Sequence, residues 1–151
     1  MSGGRRGALP GRMLDDELGK VVGREVVKIE ALPIVAGQSV HLVLEGSDSP
    51  WRQGVRFVTE GVLGVAGVEA PQLDIWTDTA PPEVQISCVE TDGLLRFYNV
   101  WQSGRRPGVE SRSATSGMLA EDLGDGWRRY ACSDIGLELD FMKLVFRISI
   151  E

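Results

Sequence analysis

Residues 83–102 read EVQISCVETDGLLRFYNVWQ, and this stretch decides the predicted fold. Apolar and polar side chains alternate on both sides of Asp92-Gly93, and a period of two is the pattern of a half-buried strand. Asp-Gly is a strong signal for a type I′ turn, in which both central residues have positive φ. The sequence therefore predicts a hairpin whose register is fixed at this turn and places Cys88 opposite Phe97.

The predicted hairpin has one apolar face and one mixed face. Alternation assigns to the core Val84, Ile86, Cys88, Phe97 and Trp101. The opposite face receives Gln85, Ser87, Val89, Arg96, Tyr98 and Val100. Because a shift of one residue would move every side chain to the other face, this register determines which side chains we expect to meet solvent.

Similar alternation occurs along the rest of the chain. It is clear at 39–45, 73–78 and 143–151, and weaker at 25–31, 54–60, 62–68, 109–118 and 127–133. Turn signals separate these segments at 47–50, 81–82, 104–108 and 124–126. Short alternating strands at this spacing are typical of antiparallel sandwiches. We therefore expect an all-β fold, a jelly-roll-like antiparallel β-sandwich that forms one domain over residues 12–151.

The amino-terminal segment differs from the rest in composition. Residues 1–11 carry four glycines and a proline without periodicity, which predicts a flexible tail. Residues 12–22 predict one short helix that ends at Gly23. An apolar run suited to a secretory signal or a membrane span is not found in the sequence.

Charge and cysteine content narrow the class of protein. Sixteen Lys+Arg against 22 Asp+Glu give a net charge of −6, which argues against nucleic-acid and anionic-membrane partners. Two cysteines are too few for a secreted disulfide framework, so we expect a cytoplasmic protein. The Arg-rich, Gly-rich composition indicates a GC-rich, bacterial genome. The expected partner is an unidentified small ligand or a protein, and a homo-oligomer stays open.

The sequence contains no motif that identifies a reaction. His41 is the only histidine, so any Ser-His-Asp or Cys-His mechanism must use it, yet alternation points it outward as a surface residue. Cys88 and Cys132 lie 44 positions apart without zinc-site spacing, which predicts two free thiols, no metal and no cofactor. Asp134, with the nearby acids Glu138 and Asp140, is interpreted as part of a solubilising turn. We expect no catalytic residues, and a hydrolase using His41 or clustered carboxylates is the least favoured alternative.

A mixed aromatic and polar surface is the most informative feature. Trp76 and Tyr98 are predicted to point outward on faces that also carry Asp74, Asp78 and Arg96. Flat apolar rings edged by directional hydrogen-bonding groups suit the recognition of a sugar or a peptide. The sequence thus predicts a non-catalytic ligand-binding module for carbohydrate or peptide, unless the amino-terminal helix or a loop covers this face. The alternative is a cytoplasmic protein-interaction or immunity-type partner protein.

Two basic spots interrupt the acidic chain. One combines Arg105-Arg106 with Arg112, and the other is Arg128-Arg129. They could hold an acidic partner or a phosphate, and we expect all of these loop and strand arginines to be exposed.

Overall fold

Period-two alternation produces strands along most of the chain. The computed structural model describes residues 11–136 and 138–151. Within them the strands are β1 (Met13–Leu14), β2 (Val27–Pro33), β3 (Ser39–Gly46), β4 (Arg52–Val65), β5 (Val68–Trp76), β6 (Glu83–Glu90), β7 (Leu94–Gln102), β8 (Gly117–Gly124), β9 (Trp127–Ser133) and β10 (Leu144–Ile150). One helix, α1 (Asp16–Val22), lies between β1 and β2.

Eight of these strands form a closed antiparallel β-barrel in the order β2-β7-β4-β6-β3-β10-β9-β8. The pairing of Val27 with Met118 joins β2 to β8 and closes the ring, while β5 pairs with β4 outside it. The predicted jelly-roll-like β-sandwich is therefore wrong, although the all-β prediction is confirmed. Alternation separates inward from outward residues equally well in both architectures, and closure depends on strand tilt and bends that alternation does not encode.

The barrel interior is a packed core centred on aromatic rings. The Phe97 ring meets Tyr130 edge-on at 5.0 Å between centroids, and Tyr130 stacks on Phe146 at 5.3 Å. Phe57 lies 5.6 Å from Phe97 and completes the cluster. An eight-stranded barrel is just wide enough for its side chains to fill, so these rings occupy the space that a larger barrel leaves for a ligand.

The predicted hairpin at 83–102 is not formed as a pair. β7 pairs with the first part of β4, where Phe97 lies opposite Phe57, and β6 pairs with the last part, where Cys88 lies opposite Leu63. The predicted pairing of Cys88 with Phe97 is wrong, because β6 and β7 each pair with a different part of β4 instead of with one another. The five inward assignments made for this stretch are confirmed by burial, whereas the outward assignment of Val100 is wrong because Val100 is also fully buried.

The backbone at 91–93 explains this difference. Gly93 has φ 107°, but the non-glycine residues with positive φ in the described ranges are Ala66 and Asp125 only. Asp92 therefore does not adopt the conformation that a type I′ turn requires. β6 and β7 instead follow one another along β4, and a Cβ at Gly61 would collide with the carbonyl group of Glu90 where β4 passes from one to the other.

The positive φ angles that a type I′ turn requires occur at two other turns. Ala66 and Gly67 have φ of 50° and 84° and join β4 to β5. Asp125 and Gly126 have φ of 55° and 82° and join β8 to β9. The turn predicted at 124–126 is thus confirmed as a two-residue hairpin loop.

The predicted helix is confirmed in shorter form. The side chain of Asp15 accepts a hydrogen bond from the Leu18 backbone N–H at 2.9 Å, and Gly23 with φ 83° ends the helix.

In the described ranges no helix has the length and apolar character that crossing a membrane requires. The predicted tail, residues 1–11, lies outside the described part of the chain except for Gly11. The segment 109–116, predicted as part of a strand, is a loop except for a bridge between Glu110 and Trp101.

Candidate functional site

Three neighbouring strands bring most of the predicted site residues together. Arg56 of β4 lies opposite Asp74 of β5 on one side and opposite Tyr98 of β7 on the other. Phe57, the next residue, points into the core, so these three side chains share the outer face of the barrel. Two positions along, Gly54 lies opposite Trp76. We call this outer surface of β4, β5 and β7 the β4–β5–β7 face.

An arginine at the centre of the face is held in a fixed geometry. Arg56 Nε donates to Asp74 Oδ1 at 2.7 Å and Nη2 donates to Oδ2 at 2.9 Å. Such a two-point arrangement is among the stronger polar contacts in proteins. The hydrogen bond to Asp74 raises the pKa of Arg56, against the effect of burial, and contact with Tyr98 adds to the rise. The guanidinium is therefore permanently charged and oriented by its two neighbours.

Trp76 packs against two residues of β4. A Cβ at Gly54 would lie 2.8 Å from Trp76 Cε3, so the absence of a side chain there lets the indole lie against β4. Arg52 Cζ lies 4.2 Å from the ring centroid, within cation–π range. Arg52 also donates to both carboxylate oxygens of Asp78, at 2.9 and 3.0 Å, and to Gln102. Asp78, predicted as a site residue, thus joins the face through Arg52.

Arg96 differs from its predicted position in solvent. It is 2% exposed, and its guanidinium donates to Asp92 Oδ1 at 3.4 Å and Oδ2 at 3.2 Å. Hydrogen bonding to Arg96 contributes to lowering the pKa of Asp92, although burial of Asp92, the largest effect, opposes it. Arg96 lies beside the face at the turn before β7 and stabilises that turn rather than offering an open guanidinium.

Sequence reasoning missed the β4 contribution to the face. Arg52, Gly54 and Arg56 alternate with the inward residues Gln53, Val55 and Phe57, which is a usable signal for their orientation. Their position between β5 and β7 could not be predicted, because the expected hairpin paired β7 with β6. The structure shows that the two arginines contact Trp76, Tyr98 and both predicted aspartates.

The other candidate residues have structural surroundings. His41 Nε2 lies 3.4 Å from Glu83 Oε1, and its ring lies 5.6 Å from that of Trp127. Asp134 is 2% exposed, so its predicted place in a solvated turn is wrong: Oδ2 accepts hydrogen bonds from Ser49 and Gln53, each at 2.7 Å. Among the residues that the structure describes, no three His, Cys, Asp or Glu side chains are placed to hold a metal ion.

The two thiols are free, as predicted, and both are buried. Burial raises the pKa of the Cys88 and Cys132 thiols, which disfavours the reactive thiolate. Neither thiol therefore has the surroundings of a nucleophile.

Comparisons of this chain with known protein families, with curated proteins and with solved structures find no match. The fold and the face themselves define a small filled β-barrel whose outer surface presents tryptophan, tyrosine and arginine side by side. Any functional conclusion follows from that arrangement.

Proposed function

We propose that the protein is a non-catalytic binding protein that recognises an extended polypeptide through the β4–β5–β7 face. The supporting observation is the cluster formed by Arg52, Trp76, Arg56 and Tyr98 on neighbouring strands. Tryptophan, tyrosine and arginine are the residue types that contribute most of the energy at protein interfaces. Because they are mounted on strands and not on loops, their positions are set before a partner arrives.

The packing of Trp76 favours a polypeptide over a carbohydrate. A sugar ring stacks on an open aromatic face, but this indole packs against Gly54 and one of its faces lies under Arg52. A carbohydrate would have to displace Arg52 and break its hydrogen bonds to Asp78. A polypeptide can use the guanidinium and the indole edge in place.

A free strand edge adjoins the same side chains. Within the described residues β5 pairs only with β4, so its other edge offers backbone groups next to Asp74 that no strand pairs. The backbone carbonyl of Trp76 accepts a hydrogen bond from the Ala80 N–H at 2.9 Å, so the segment from Gln72 to Ile75 is the part of this edge that is able to pair. Addition of a strand to an open edge is a common mode of peptide recognition, in which alternate side chains give specificity.

The test begins with parallel screens of a displayed peptide library and a glycan array. The dissociation constant of the strongest hit is then measured by titration with the wild type and with the double variant Trp76→Ala/Tyr98→Ala. Loss of two central aromatic anchors should weaken a peptide hit at least about tenfold. Trp127→Ala is the matched control, since Trp127 is also half-buried beneath an arginine, Arg147 at 5.3 Å, on different strands.

Three outcomes would overturn the proposal. A peptide that binds the double variant as tightly as the wild type would remove the face from recognition. Equal loss in the Trp127→Ala control would show that aromatic truncation acts through stability. A hit confined to the glycan array would favour the carbohydrate alternative and require that Arg52 moves.

A further inference from the structure

A cavity of about 510 Å³ lies where the loop after β7 returns towards β8. Its lining includes Arg105, Arg106, Arg112, Glu110 and Ile135. This volume falls within the range of small-molecule sites, which occur preferentially at the mouths of β-barrels. None of its lining residues belongs to the β4–β5–β7 face.

The arginines of this cavity lack the carboxylate partners that other arginines have. The structure describes eleven arginines, and seven form an ion pair within 4.0 Å: Arg12, Arg52, Arg56, Arg96, Arg128, Arg129 and Arg147. No such pair is found in the described ranges for Arg24 or for the three arginines of the cavity. In a chain of net charge −6, three exposed guanidinium groups that form no such pair in the described ranges therefore line one concave surface.

The one acidic residue in the lining is held by other partners. The Glu110 carboxylate accepts hydrogen bonds from Trp101 Nε1 at 3.1 Å, from the Ser103 backbone N–H at 3.0 Å and from the Ser103 hydroxyl. The bond from the Ser103 side chain is the main reason that the pKa of Glu110 is lowered, so it stays ionised. With its oxygens directed to these donors, Glu110 leaves the cavity with a formal charge of +2.

The loop that carries the arginines is fixed at both ends. Glu110 and Trp101 exchange backbone hydrogen bonds of 2.8 and 2.9 Å, which attach the loop to the fully buried end of β7. Beyond Arg112, the Lys28 ammonium donates to the carbonyl groups of Ser113 and Ser116. The positively charged lining is thus held in place by contacts with the barrel, which lowers the cost of ordering it around a ligand.

Repulsion between Lys28 and Arg112 also favours the binding of an anion. Burial chiefly lowers the pKa of Lys28, and the positive charge of Arg112 lowers it further, in opposition to Asp15. Like charges held close together are unfavourable until an anion lies between them. An anionic ligand would relieve this repulsion and take up the free donors of the guanidinium groups.

We propose that this cavity binds a small molecule through a phosphoryl group. Guanidinium groups match the geometry of phosphate oxygens with paired N–H donors, and a lining charge of +2 matches a dianionic phosphoryl group. The overall acidity of the chain disfavours a polynucleotide, whose binding depends on neutralising many phosphates. The concave shape of the lining favours a small molecule over the flat contact of a protein partner.

The experiment is calorimetric titration of the full chain with inorganic pyrophosphate, with citrate as a carboxylate anion of comparable charge. We expect saturable one-to-one binding of pyrophosphate that is at least about tenfold tighter than binding of citrate. Arg112→Gln and the double variant Arg105→Gln/Arg106→Gln should each weaken pyrophosphate binding about tenfold or more, the effect of losing a charge-assisted contact.

Arg24→Gln is the matched control, because Arg24 is exposed and lacks an ion pair in the described ranges but lies outside this cavity. It should bind pyrophosphate within about twofold of the wild type. Thermal unfolding of each variant checks that the fold is retained. Three results of these titrations would overturn the proposal: no saturable binding at about 10 mM pyrophosphate, equal affinity for citrate, or an equal loss of pyrophosphate affinity in Arg24→Gln. A parallel titration with a single-stranded oligonucleotide would also overturn it if the oligonucleotide bound tightly and pyrophosphate did not.

Discussion

The hydroxyl group of Tyr130 offers the sharpest test of the barrel core. It donates to Glu30 Oε2 at 2.9 Å, and the Glu30 carboxylate is only 1% exposed. The other oxygen, Oε1, has separate donors, Arg12 Nε at 2.8 Å and the Ala31 backbone N–H at 3.0 Å. Tyr130→Phe would therefore remove the one donor within hydrogen-bond distance of Oε2 among the described residues and leave the aromatic packing in place.

The cost follows from leaving a buried charged group short of a hydrogen bond. We expect Tyr130→Phe to lower the free energy of unfolding by about 1.5–3 kcal/mol. For a chain of this size that corresponds to a fall in Tm of about 3–12 °C. Urea denaturation followed by tryptophan fluorescence measures the free energy, and differential scanning calorimetry measures the Tm.

Tyr98→Phe is the control, since Tyr98 is half-exposed on the outer face and its partner Arg56 keeps both bonds to Asp74. It should lose no more than about 0.5 kcal/mol. An unchanged free energy of unfolding for Tyr130→Phe, or an equal loss for Tyr98→Phe, would refute the assignment of a buried, tyrosine-dependent carboxylate.

One neighbour can partly compensate for the lost hydroxyl. Arg128 Nη1 lies 3.9 Å from Glu30 Oε2, and we expect it to move closer when the Tyr130 oxygen is removed. The double variant Tyr130→Phe/Arg128→Gln should therefore lose more stability than the sum of the two single variants, by at least about 0.5 kcal/mol. Strict additivity would show that Arg128 does not take over.

Further predictions concern the register shift of β4 near Gly61 and the acid response of the surface ion pair between Glu45 and Arg129. Gly61→Ala should lower the free energy of unfolding by about 3 kcal/mol or more, because the new Cβ meets the Glu90 backbone. Gly64→Ala, whose Cβ finds no neighbour closer than 3.6 Å, should lose far less, and an equal loss in urea denaturation would contradict this account. The hydrogen bond from Arg129 is the main cause that lowers the pKa of Glu45, against burial. The ion pair of Glu45 with Arg129 therefore stabilises the folded state fully at a pH above the ordinary pKa of a glutamate. This stabilisation is lost as the pH falls through the lowered pKa that Glu45 has in the folded state. Wild type should accordingly exceed Glu45→Gln in stability near pH 7, and the difference should vanish on acidification; a difference independent of pH would exclude this ion pair as its source.

The same dipeptide shows what local sequence can and cannot predict. Asp-Gly at 125–126 forms the expected two-residue hairpin, whereas Asp-Gly at 92–93 does not. Turn preference contributes energies that tertiary pairing can exceed. At 92–93 the strand β4 supplies hydrogen-bond partners to both flanking strands, so the chain gains more by following β4 than by folding back on itself.

Burial was easier to predict than pairing for a related reason. The alternation of Val84, Ile86 and Cys88 with exposed Gln85 and Ser87 is a property of one strand and survives whichever strand lies beside it. Closure into a barrel is a property of all the strands together. It depends on the register shift of β4 near Gly61 and on the pairing of Val27 with Met118, which are far apart in sequence and leave no local pattern.

The residues of the candidate site also differ in whether one strand or the order of several strands determines their position. This difference affects which ligand the site suits. Trp76, Tyr98 and Asp74 could be placed on an outward surface from the alternation of their own strands, and that surface suggested a sugar or a peptide equally. Arg52 reaches the indole only because β4 lies between β5 and β7, and its guanidinium covers the ring face that a sugar would need. The choice of a polypeptide ligand therefore rests on strand order, which no single segment of the sequence contains.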